Sequence, residues 1–184
     1  MVRWVIASLL ASVLLTTTAS SASLVSEFAG PWSGQTIEKP YDTVEAEMIG
    51  IEIEERDDGF ELSWNDLSPN GEEALSGQPL IAYFAKTDRD GVFEAQPEDG
   101  SFLDQMFASP ETGNPLDGEN LLWARIDSET LSVYSLKIDE NGQFDLDHYS
   151  WVRTDGGLAL HYRQQTEALG DEMSIKGLLV RAGG

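Results

Sequence analysis

Residues 139–165 run Asp139-Glu140-Asn141-Gly142-Gln143-Phe144-Asp145-Leu146-Asp147-His148-Tyr149-Ser150-Trp151-Val152-Arg153-Thr154-Asp155-Gly156-Gly157-Leu158-Ala159-Leu160-His161-Tyr162-Arg163-Gln164-Gln165. Asn141-Gly142 and Asp155-Gly156-Gly157 supply the positive φ angles of tight hairpins, so each marks a strand reversal. Between them the pattern alternates. Phe144, Leu146, His148 and Val152 hold one parity against Asp145, Asp147 and Arg153, and Leu158, Leu160 and Tyr162 oppose His161 and Arg163. A period of two with one wet face predicts antiparallel sheet.

The same grammar extends outward. Asp57-Asp58-Gly59 and Asp88-Arg89-Asp90-Gly91 are further hairpin turns, and Phe60, Leu62 and Trp64 alternate with Glu61, Ser63 and Asn65. Trp32–Glu38, Leu80–Thr87, Val92–Gln96, Leu121–Asp127, Thr130–Ile138 and Glu172–Arg181 complete a set of roughly ten short strands. In Val44–Arg56 the parity slips: Val44, Ala46 and Met48 hold one phase, Ile51 and Ile53 the other. A bulge or bend at Ile49-Gly50 would restore one inward face. The expected fold is all-β: a single antiparallel up-and-down β-barrel of about 8–10 strands, with a two-sheet sandwich as the alternative.

Two connections exceed hairpin length. Asn65–Pro79 is rich in Ser, Gly, Pro and acids. Pro97–Glu119 carries Phe102, Leu103, Met106 and Phe107, at a spacing that predicts one or two helical turns between Gly100 and Pro110. Four apolar residues favour a fixed plug over a moving lid.

Residues 1–22 have the layout of a secretory signal peptide: Arg3, an apolar run from Trp4 to Leu15, then small residues ending at Ser20-Ser21-Ala22. The apolar run is too short to span a bilayer as a helix, so no stable membrane anchor is expected. Residues 23–184 then form one exported domain, periplasmic or secreted and monomeric. The 33 acidic against 11 basic residues give a formal charge of −22, which excludes nucleic acid as an ordinary partner. The absence of cysteine removes disulfides, thiol nucleophiles and Cys-based metal sites.

Near the start of that domain stands Phe28-Ala29-Gly30-Pro31-Trp32-Ser33-Gly34. Its Gly-x-Trp core resembles the N-terminal signature of the lipocalin or calycin barrels. The resemblance implies that Gly30 and Trp32 belong to the first strand and that Trp32 closes one barrel end. It also implies a basic side chain from the last strand over the ring. Arg181 shares parity with Met173, Ile175 and Leu179 and fits that role, as a cation–π contact.

No catalytic constellation assembles. The calcium-loop pattern fails at its first position around both Gly91 and Gly142, where Lys86 and Lys137 stand, and hairpin turns account for those acids. There is no nucleophile elbow, and two histidines without cysteine make a poor zinc set. Glu45/Glu47, Glu52/Glu54 and Asp145/Asp147 read as a solvated outer face. No enzyme, metal or cofactor is expected. The expected function is an exported binding protein for a small, largely apolar ligand, with Trp64, Tyr134, His148 and Tyr162 lining the barrel. The alternative is a non-catalytic structural or protein-interaction module of the cell envelope with a filled interior.

Overall fold

The computed structural model describes residues 21–38, 48–65, 67, 79–96, 113–166 and 173–183. The signal-peptide expectation falls almost wholly on residues 1–20. It lies outside the described residues, as do Val44, Ala46, the Gly100–Pro110 helix and most of the two long connections.

A short helix α1 (Ser21–Ser26) precedes ten strands: β1 (Gly30–Glu38), β2 (Met48–Arg56), β3 (Gly59–Trp64), β4 (Leu80–Lys86), β5 (Val92–Gln96), β6 (Leu121–Ile126), β7 (Thr130–Ile138), β8 (Phe144–Thr154), β9 (Gly157–Thr166) and β10 (Met173–Arg181). Each pairs antiparallel with its chain neighbours, and β1 pairs with β10, so the sheet closes on itself as an up-and-down barrel. Closure leaves no free edge, and the sandwich alternative falls with it.

The turns behave as their chemistry demands. Asp139 Oδ1 accepts from the backbone N–H of Asn141 and Gln143, both at 2.8 Å, while Gly142 takes φ +80°. These bonds hold the Asp139 carboxyl below its ordinary pKa, the Gln143 N–H contributing most. Asp127 Oδ1 similarly accepts from Glu129 and Thr130, closing the β6–β7 turn.

No bulge occurs at Ile49-Gly50. The β1–β2 register runs unbroken from Gly30↔Ile53 to Gln35↔Met48, Ile49, Ile51 and Ile53 all face inward, and Met48 is 64% exposed. The tight point lies across the ladder instead, at Gly34 opposite Ile49. A Cβ on Gly34 would stand 1.8 Å from the carbonyl oxygen of Leu178, so the closing seam admits no side chain there. The register of that seam shifts between Thr36 and Glu38.

The two barrel ends differ. At one rim, tight turns join β2–β3, β4–β5, β6–β7 and β8–β9, and α1 packs across the opening with Val25 and Phe28 buried. Beneath it, Phe60 stacks on Phe84 at 5.1 Å and meets Phe93 edge-on at 5.0 Å. Each such ring removes about 2–3 kcal/mol worth of apolar surface from water. The opposite rim receives the strand ends whose connections hold the residues outside the described ones, 39–47, 66 and 68–78, 97–112 and 167–172.

Candidate functional site

The closed rim is pinned by the two residues that the first and last strands bring together. Trp32 and Arg181 are direct ladder partners, and the guanidinium lies 4.4 Å from the ring centroid. Arg181 Nη1 donates to the Ala29 carbonyl at 2.8 Å, and Trp32 Nε1 donates to that of Phe28 at 2.8 Å. Gly30 has φ +109°, and a Cβ there would meet Arg181 Nη1 at 2.8 Å, so glycine makes room for the clamp. With both its N–H and its face engaged, Trp32 acts as structure.

The other half of the interior mixes aromatic and polar groups. Trp64, Tyr149, Trp151 and Tyr162 are all buried there, with Tyr149 meeting Trp64 edge-on at 6.2 Å, Trp151 at 5.8 Å and Tyr162 at 4.7 Å. Tyr162 Oη donates to Asp147 Oδ1 at 2.7 Å. Thr36, Gln164 and Thr166 are buried nearer the rim. Leu67, beyond the end of β3, reaches over the barrel and donates its backbone N–H to Tyr149 Oη at 3.3 Å. Below it, Leu67, Trp64, Tyr149, Trp151, Ile49 and Leu179 line a void with room for about one water molecule. Among the described residues, the buried Nε1 atoms of Trp64 and Trp151 have no hydrogen-bond partner.

Two of the four expected lining residues, Trp64 and Tyr162, therefore lie inside, and two do not. Tyr134 and His148 stand on the outer wall, a correction of the expected parity of β8. Its ladder to β9 pairs Tyr149 with Tyr162 and Trp151 with Leu160, which places the odd positions inward, Asp147 included. Phe144, Leu146, His148 and Val152 consequently face outward. Asp145 and Asp147 hold the inward parity near the rim, so they are not part of a solvated outer face. Tyr149 and Trp151 are the interior residues that alternation missed. A two-residue turn at Asp155-Gly156 pairs Thr154 with Gly157, and propagating that register from the unambiguous β9 identifies them.

Outside, Trp123, Tyr134 and His148 form a stacked row across β6, β7 and β8, at centroid spacings of 5.0 and 4.3 Å with rings nearly parallel. Burial is the main cause that lowers the His148 pKa below its ordinary value, and the facing Arg163 adds to it. The wall around this row carries no carboxylate: among the described side chains, the outward positions of β6 to β10 and of β1 hold no Asp or Glu. Outward strand acids stand on β2, β3 and β5, as Glu52, Glu54, Glu61 and Glu94. The charge is thus one-sided on the strands.

Among the described residues no group of three or more His, Asp or Glu converges as a metal site. The chain matches no protein-family model, and no curated protein matches its sequence.

Proposed function

We infer that the chain is an exported, non-catalytic binding protein of lipocalin-like build, which takes a small, largely apolar ligand in the half of the barrel opposite the Trp32–Arg181 clamp. The observation that carries this reading is the contrast between the two halves of the interior. One half is apolar and stoppered by α1. The other lines a void with aromatic rings beside the Tyr162–Asp147 pair and holds Thr36, Gln164 and Thr166 nearer the rim. Aromatic walls with a few placed polar groups are what a small-molecule pocket requires. The lipocalin-like reading is supported by Gly30, Trp32 and Arg181 together with the closed meander. A ligand of several carbons exceeds the void as it stands. Binding therefore requires Leu67 to lift from Tyr149 Oη.

The size of that void favours one second reading, a structural or protein-interaction module of the cell envelope whose own side chains fill the barrel. Titration with N-phenyl-1-naphthylamine separates the two. Saturable fluorescence enhancement, with one probe per chain by native mass spectrometry, supports the binding protein. No enhancement over the micromolar range leaves the filled module. Export is tested separately by fractionation and N-terminal sequencing, the mature chain beginning at Ser23.

A further inference from the structure

The void below Leu67 has a chemical bias of its own. Trp64 and Trp151, 2% and 1% exposed, both line it, and the buried indole N–H of each meets no acceptor among the described residues. An unpaired buried donor is costly, and its usual resolution is an acceptor supplied from outside the chain. The side-chain acceptors at the void are already engaged: Asn65 Oδ1 accepts from Gly50 N–H at 2.6 Å, and Tyr149 Oη accepts from Leu67 N–H. A water placed there would find poor outlets for its own hydrogens, because those acceptors are taken. An atom that only accepts fits better.

Charge narrows the class further. Among the described residues no basic side chain lines the void, Asp147 lies one inward position from Tyr149 on β8, and the chain carries −22 overall. A buried carboxylate would be left without a counter-charge, which is prohibitive. We propose that Trp64 and Trp151 form a paired-donor anchor for one neutral carbonyl oxygen, so that the ligand is an uncharged ketone, ester or amide with an apolar body. This rests on the binding reading above and specifies the head group it selects.

The test compares 2-octanone, n-octane and octanoate against the purified protein, with binding followed by competition with the naphthylamine probe. The ketone is expected to bind about fivefold tighter than the alkane, the worth of one net hydrogen bond, and octanoate weakest. Trp151→Phe and Trp64→Phe should each lower the ratio of ketone to octane affinity, whatever happens to octane binding itself. In the unaltered protein, the two indole Nε1–H resonances should move on adding ketone and stay in place with octane, a readout independent of whether either variant folds. Equal binding of ketone and octane with unmoved indole signals overturns the anchor and leaves the binding reading intact. Tightest binding of octanoate overturns it too, and no binding of any of the three, nor of the probe, overturns both.

Discussion

The guanidinium of Arg181 lies 4.4 Å from the ring centroid of Trp32, across the seam where the last strand closes on the first. The two residues are 149 positions apart in sequence yet directly opposed in the ladder, so this contact forms only when the barrel closes. It reports closure more directly than any local hairpin.

Removing the contact should weaken the seam. Arg181→Met is expected to cost about 1–2 kcal/mol, from the cation–π contact and the bond to the Ala29 carbonyl. Arg181→Lys should recover only part, because an ammonium lacks the planar donor fork. Urea unfolding followed by tryptophan fluorescence measures both. A Met variant as stable as the parent would deny the clamp its role.

Two glycines should respond differently to alanine. Gly142→Ala meets open space but keeps φ +80°, and is expected to cost about 1–2 kcal/mol. Gly34→Ala drives a methyl into the Leu178 carbonyl and should cost about 3 kcal/mol or more, with loss of soluble yield. Thermal melts rank them, and the reverse order would disprove the tight seam.

The Tyr162–Asp147 bond is the polar link best placed to hold β8 and β9 together inside the barrel. Tyr162→Phe leaves the ring in place and removes the donor at 2.7 Å, so a loss of about 2 kcal/mol is expected. Calorimetric melting checks it, and Tyr162→Phe with unchanged stability would mean that water replaces the bond at no cost.

His148 should make the fold acid-sensitive. Burial, then Arg163, lowers its folded pKa beneath the ordinary value, so the unfolded chain binds the proton more readily. Stability from this group is full above the unfolded pKa of about 6.5 and falls as pH drops below it, levelling off once the folded pKa is passed. His148→Gln should flatten the fall between pH 7.5 and 5.5. An NMR titration of His148 at or above the ordinary value would contradict the shift, and Arg163→Ala should raise it part of the way back.

Most of the architecture was legible along the chain. Glycine beside Asp or Asn marked four of the hairpins, and, apart from the Val44 start of the second strand, which lies outside the described residues, strand limits read from alternation fall within two residues of those observed, because turn chemistry and period-two burial are local properties. The meeting of Trp32 with Arg181 was implied by the resemblance of Gly30-Pro31-Trp32 to the lipocalin signature, with parity on the last strand selecting Arg181. The bend expected at Ile49-Gly50 was not, because crowding at the seam is set by the strand opposite, at Gly34.

The candidate site divides along the same line. Trp64 and Tyr162 lie on strands with one apolar face, and their direction follows from the sequence. β8 has large apolar residues on both parities, Phe144, Leu146 and Val152 against Tyr149 and Trp151, so alternation within it is ambiguous. Two acids on the inward parity tilted the reading outward. The register to β9 resolves it, because residues opposed across an antiparallel ladder share a face. That one choice turned His148 and Tyr134 to the outer wall, brought Tyr149 and Trp151 to the void, and left the wall from β6 round to β1 without carboxylates among the described side chains. The sequence by itself determined the strands and their turns, and the residues that meet at closure were implied by its resemblance to the lipocalin signature. Only the tertiary structure decided what the barrel encloses, because a strand apolar on both faces takes its orientation from its partners.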